Sequence, residues 1–132
     1  MSHFLTKQVR IFYPYLDESP TLLLEQAGVP RERLDELHQE PFVRVAKAGD
    51  QIVGAYLMTR LETERFAIDA VVVDAGTRGR GLGGWLIGHA IGVAESKGGR
   101  QVICRCAYPG TLFERLGFTG GDTGWQLTIT PE

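Results

Sequence analysis

The chain has 132 residues, 43% of them hydrophobic, with six prolines and 14 Lys or Arg against 16 Asp or Glu. That length and apolar content suit a single domain over residues 1–132, able to bury one core and with no room for a second. A net charge of −2 without any lysine- or arginine-rich block gives no field for a nucleic-acid partner. No apolar run is long enough to span a bilayer and no signal-peptide pattern opens the chain, so a cytoplasmic protein with no membrane partner is expected.

Phe4 to Tyr13 alternates loosely, with Val9, Ile11 and Tyr13 on one side, and reads as a first strand stopped by Pro14. Ser19-Pro20 offers an N-cap and a first-turn proline for a helix through Leu22, Leu23 and Leu24 to Ala27, ended by Gly28 and Pro30, with a second helix over Arg31 to Gln39. Phe42 to Ala48 and Gln51 to Leu61 are two strands around Gly49-Asp50, a hairpin in which Gly54 marks a bulge or a close backbone approach. After the polar turn Glu62 to Arg65, the nearly unbroken apolar run Phe66 to Val73 reads as a central strand covered on both faces. Asp69 is the odd residue in it. Simple alternation puts its carboxylate on the same face as Val71 and Val73, where it must be paired, solvated in a cleft or raised in pKa.

Leu82, Trp85, Leu86, His89, Ala90, Val93 and Ala94 recur at helical spacing, and Gly98-Gly99 stops that helix after Lys97. His89, mid-helix among apolar neighbours, reads as a structural histidine. A parallel return over Arg100 to Cys106 completes a right-handed crossover. Cys104 and Cys106 fall at alternate positions of that strand, sharing a face but poorly placed to close a disulfide. With no His or Cys at zinc-ligand spacing they read as reduced core thiols, and no metal site is expected.

Between the central strand and the long helix lies Arg78-Gly-Arg-Gly-Leu-Gly-Gly84. Glycines let the backbone curl so that several N–H groups converge, the helix start adds unpaired amides and a positive dipole end, and Arg78 and Arg80 add full charges: a phosphate site. A Walker A loop is out, because Leu82-Gly83 stands where Lys and Ser or Thr are required. Gly79-x-Gly81-x-x-Gly84 matches a dinucleotide fingerprint as letters, yet the next strand offers no Asp or Glu for a ribose. The remaining reading is Arg78-Gly-Arg-Gly81-Leu-Gly83.

That motif, with the strand after the helix and Thr111-Leu-Phe-Glu-Arg-Leu-Gly-Phe118 beyond it, resembles the GNAT acetyltransferases over roughly Val45 to Leu127. The resemblance implies a mixed α/β GNAT fold: a twisted, mostly antiparallel central sheet with one splayed parallel pair, flanked by helices. It also implies acetyl-CoA as cosubstrate and direct transfer of its acetyl group to a primary amine on a small-molecule or peptide acceptor. Arg78, Gly79, Arg80, Gly81, Leu82, Gly83 and Gly84 would hold the pyrophosphate. Val71, Val72 and Val73 would hold pantetheine, whose arm fills the splay as a pseudo-strand. Glu25, Glu32, Glu36 and His38 lie in the region that closes over the acceptor in the family, against the plainer reading of a solvated helix face. Asp69 becomes a candidate general base, against the plainer reading of a carboxylate paired with an arginine such as Arg105.

The chain departs from the family pattern at one catalytic position. The tyrosine that protonates the leaving thiolate falls on Phe113, which is expected among the cofactor contacts, so Tyr108 or the thiol of Cys106 becomes the candidate substitute acid, against the plainer reading of either as a packing residue. An asparagine of the family is also replaced, near Cys106. These losses keep open an alternative resemblance, carried by Ile68 to Val73 and by Gly117-Phe118-Thr119 with Gly124-Trp125. It is to the small acetyl-CoA sensors that bind the aspartate decarboxylase zymogen. That alternative implies cofactor binding without turnover and a regulatory protein partner; a homodimer is compatible with either reading.

Overall fold

A computed structural model describes residues 9–13, 20–77, 81–106, 110–121 and 124–130. Among these, the strands are β1 (Val9–Phe12), β2 (Val43–Ala48), β3 (Gln51–Glu62), β4 (Arg65–Val73), β5 (Gln101–Cys104), β6 (Thr119–Gly121) and β7 (Gly124–Thr128). The helices are α1 (Thr21–Gln26), α2 (Arg31–Leu34), α3 (Leu82–Ser96) and α4 (Gly110–Arg115). One sheet holds all the strands in the order β1-β2-β3-β4-β5-β7-β6. Every neighbouring pair is antiparallel except β4 and β5, whose parallel register the α3 crossover makes possible. No described helix is long and apolar enough to cross a membrane.

Both faces of the central strands are covered, as the unbroken apolar run of β4 requires. One face packs Tyr56, Met58, Phe66, Ile68, Val71 and Val73 against Leu82, Leu86, Ile87, Ala90 and Ala94 of α3. The other packs Val43, Val45, Ala55, Leu57, Ala70 and Val72 against Leu24, Val29, Leu34 and Leu37. At about 1.5–3 kcal/mol for each large apolar side chain fully removed from water, these two layers supply the main drive for folding. The long helix ends in a Schellman motif, with Gly98 N–H on the Glu95 carbonyl at 3.0 Å and Gly99 N–H on that of Ala94 at 2.8 Å. The second expected helix is shorter than its pattern: α2 stops at Leu34, and a 3₁₀ turn over Leu37–Gln39 follows. At Gly54 the expected close approach is present, since a Cβ there would lie 3.1 Å from both the Val72 carbonyl and Leu86. The bulge falls beside it, where the register moves from Ala46↔Gly54 to Lys47↔Ile52.

Two local events in β4 and β5 shape the centre of the sheet. Leu57 pairs with Ala70 and Met58 with Ile68, so Asp69 is an extra residue without a partner on β3. A bulge of this kind resets the alternation of everything beyond it. Ile68 therefore faces α3, as do Val71 and Val73, while Asp69 and Ala70 turn to the other face. This corrects the expectation that Asp69 shares a face with the two valines. Strand β5 is also shorter than expected: its pairing with β4 ends at Ile68↔Cys104, and Arg105 N–H makes the last bond, 2.9 Å to the Ile68 carbonyl.

Candidate functional site

Because β5 stops at Cys104 while β4 continues to Val73, the parallel pair opens into a wedge with its apex at Ile68 and Cys104. The Asp74 N–H donates to the Val53 carbonyl at 2.8 Å, which turns the even-numbered residues of this part of β4 toward β3. By alternation, Val71 turns its N–H and C=O to the opening. The bulge at Asp69 is what gives Val71 that orientation. At the wide end of the wedge stands the start of α3. Gly81 is its N-cap with φ +83°, a left-handed conformation that favours glycine, and no described side chain caps the helix. Trp85 N–H makes the first helical bond, to the Gly81 carbonyl at 3.1 Å, so the amides of Leu82, Gly83 and Gly84 precede the ladder and give this end an anion-attracting character. The Leu82 side chain belongs to the core, so only its backbone can contribute. Arg78, Gly79, Arg80 and Tyr108 lie outside the described residues.

Asp69 sits at the apex on the face opposite α3, its side chain 9% exposed. Its Oδ1 accepts from Arg105 Nε and Nη2, both at 2.7 Å, and its Oδ2 from Arg33 Nη1 at 2.8 Å and from the Thr59 hydroxyl. Arg33 in turn grips Glu40 with Nη2 at 3.0 Å and Nε at 3.3 Å, and reaches Thr59 at 3.0 Å. A carboxylate offers about four lone-pair sites, and here four donors fill them. As placed, Asp69 has no acceptor site left for a substrate proton; its geometry is that of an anchor for two guanidinium groups. The pairing with Arg105 was legible from the sequence, whereas Arg33 and Thr59 were not. Arg33 is 36 residues from Asp69, and only the fold of α2 over β4 brings it there. Glu25, also a candidate, points instead at the exposed Arg31. His38 contributes its backbone carbonyl to the Tyr13 hydroxyl.

The thiols of Cys104 and Cys106 meet with their sulfurs 2.8 Å apart. Strict alternation would have kept them parallel, but the strand ends at Cys104 and the chain bends, which swings Cys106 back toward it. With Cys106 as donor, their hydrogen bond pulls the Cys104 thiol below its ordinary range. The same bond, with burial adding to it, pushes the Cys106 thiol far above. Both thiols are free. Phe113 presents no surface to a ligand: its ring is fully buried between Phe118, 5.2 Å away edge-on, and Trp125, 6.1 Å away and stacked. It is α4 that turns this side chain, expected among the cofactor contacts, into the core. His89 bonds the Tyr56 hydroxyl through Nδ1 at 2.8 Å, as a structural histidine should. Burial, then the charge of Arg44, holds its pKa below the usual histidine range.

Comparison with known proteins agrees with this architecture. The family model "Acetyltransferase (GNAT) family" matches residues 5–118, and the chain belongs to that family. Among solved structures, a GNAT acetyltransferase from Elizabethkingia anophelis with acetyl-CoA bound superposes with a TM-score of 0.74 at 22% identity, over 87% of this chain and 78% of that one. A GNAT acetyltransferase from Brucella melitensis in complex with acetyl-CoA gives 0.72 at 17% identity, over 94% and 90%. An IAA acetyltransferase from Bacillus cereus gives 0.71 at 22% identity, over 84% and 77%. At these identities the likeness is one of fold. A search of curated proteins finds no match to the chain.

Proposed function

We propose that this protein transfers the acetyl group of acetyl-CoA directly to a primary amine. The observation that carries the reading is the wedge: the pairing of β5 with β4 ends at Ile68↔Cys104, Val71 turns its N–H and C=O to the opening, and the start of α3 lies at its wide end. In this reading the first-turn amides of α3 and the loop arginines Arg78 and Arg80 hold the pyrophosphate, and Val71 aligns pantetheine through its backbone, as an added strand would be aligned. The fold's likeness to proteins solved with acetyl-CoA supports the same choice of cosubstrate.

In the reaction the acceptor nitrogen forms a C–N bond to the acetyl carbon, the C–S bond breaks, and the products are an N-acetyl amine and coenzyme A. Asp69, saturated by Arg33, Thr59 and Arg105, is a positioning residue in this scheme, and the ammonium proton leaves to solvent water. The coenzyme A thiolate has a parent pKa of about 8.5 and leaves tolerably well unassisted. Cys106, its pKa pushed far upward, is a weaker acid than the leaving group requires. That makes Tyr108 the better-matched proton donor. Tyr108→Phe should lower kcat about 10- to 100-fold with little effect on acetyl-CoA affinity; an unchanged kcat would remove the acid from the scheme.

A second reading is favoured by one observation, the full occupation of Asp69, the candidate base. It is an acetyl-CoA sensor with a protein partner. Both readings need the cofactor site, so calorimetric titration with acetyl-CoA, coenzyme A and NADPH is the test. Gly81→Asp and Gly81→Asn share the left-handed backbone that Asp and Asn tolerate and differ in charge. A Cβ at that position meets nothing within 4 Å. The expected result is binding of acetyl-CoA, weakened at least about 10-fold more by Asp than by Asn. Binding of NADPH alone, or equal effects of the two variants, would refute the site. Release of coenzyme A in an amine screen then separates enzyme from sensor.

A further inference from the structure

We infer that the open polar face beside the wedge apex binds the acidic part of the acyl acceptor, which makes the acceptor an amine carrying carboxylate, of amino-acid to dipeptide size. The inference rests on the acyl-transfer reading above and deepens it. A groove of about 630 Å³ lies on this face, lined among others by Arg65, Cys104, Arg105, Trp125 and Gln126. Its described lining holds two arginines and no carboxylate.

The hydrogen bonds across the groove fix which groups it offers. Arg65 Nε donates to Gln101 Oε1 at 2.7 Å, and a guanidinium cannot accept, so the Gln101 amide has one possible orientation. Its Nε2 then donates to Gln126 Oε1 at 3.1 Å, which leaves the Gln126 NH₂ as a donor. Arg105 spends Nε and Nη2 on Asp69 and keeps Nη1, while Arg65 spends Nη1 on the exposed Glu62 and keeps Nη2. The row therefore runs Arg65, Gln101, Gln126, with N–H donors left at Arg65 Nη2 and the Gln126 amide, and with Arg105 Nη1 at its apex end. An anion complements such a surface through charge-assisted bonds to the guanidinium N–H groups left over, whereas a polyamine would face two guanidinium groups and find the nearest carboxylates, Asp69 and Glu62, already engaged by them. Cys104 closes the wedge and Arg105 follows it, so a carboxylate next to the reacting amine falls to Arg105. Arg65 pairs with Gln101, four residues before Arg105 and about 13 Å along the strands, which places it and Gln126 to take a second acidic group.

The test is calorimetric titration of the protein, saturated with coenzyme A, with L-glutamate and L-glutamyl-L-glutamate, their fully amidated counterparts, and spermidine, while the Trp125 indole N–H is followed by NMR. The acidic probes should bind at least about 10-fold tighter than the amides and spermidine and shift Trp125. Arg65→Gln and Gln126→Glu, both on an exposed surface, should each weaken them about 10-fold without changing acetyl-CoA affinity. Amides or spermidine binding as tightly, no binding of the acidic probes, or indifference to both variants would overturn the inference. Loss of acetyl-CoA binding alone, with the acidic probes still bound, would instead sink the acyl-transfer reading.

Discussion

Under α3 the sheet is apolar from Val9 through Ile68 and Val71 to Ile129, whereas on the opposite face the cover of α1 and α2 ends at Leu57, Ala70 and Val72. Beyond that edge stand Asp69, Arg105 and Arg65. In the proposed reading, the difference lets one strand serve two ligands. The covered face holds the backbone of β4 rigid, so that the strand edge itself can be read by a partner group. The half-covered face has no helix among the described residues over its far side and presents side chains to solvent. One extra residue, Asp69, assigns the strand to both tasks: it turns Val71 to the wedge and its own carboxylate to the arginines.

The covered face breaks most expensively. Leu86 is fully buried between α3 and β3, and Leu86→Ala should cost about 3–4 kcal/mol of unfolding free energy in urea titration, through lost transfer and a cavity. A loss below about 1 kcal/mol would mean that α3 is not the frame proposed. On the other face, Asp69→Ala leaves Arg33 and Arg105 facing each other without their shared anion. Buried pairs broken this way lose several kcal/mol; the 47% exposure of the Arg105 side chain screens part of that, so about 2–3 kcal/mol is expected. Asp69→Asn, which keeps two acceptor lone pairs, should lose clearly less. If Asp69→Ala abolished turnover while leaving stability untouched, Asp69 would be a base and not an anchor. Tyr56→Phe sharpens the same contrast inside the covered face. It removes one hydrogen bond to a half-buried histidine and should cost about 1 kcal/mol. The smallest effect is expected from replacing both Cys104 and Cys106 by Ser. Direct transfer predicts a turnover within about 2-fold of wild type, while an acyl-cysteine intermediate predicts its loss.

The apolar run of β4, the 3.6-residue pattern of α3 and its glycine stop were legible in the sequence because each is a local agreement between propensity and pattern. The pairing of Asp69 with Arg105 was legible as an alternative for the same reason, both residues being near the parallel pair. The face of Asp69 was not, since a bulge depends on how β3 and β4 settle their register and leaves no mark in β4 alone. Nor was the meeting of Cys104 with Cys106, which follows from where β5 ends. Arg33 and the Arg65, Gln101 and Gln126 row are brought together only by α2 and by the β4-β5-β7 order, contacts far apart in sequence.

The central claim is that the edge of β4 beyond Ile68 receives pantetheine as a strand. Amide hydrogen exchange of Val71, followed by NMR with and without saturating acetyl-CoA, tests it most directly. The account predicts that the Val71 N–H slows at least about 10-fold on binding, together with the Leu82 to Gly84 amides, while Ala70 and Val72, already turned to β3, change little. Protection of the α3 amides with an unchanged Val71 would place the ligand outside the wedge and contradict the account.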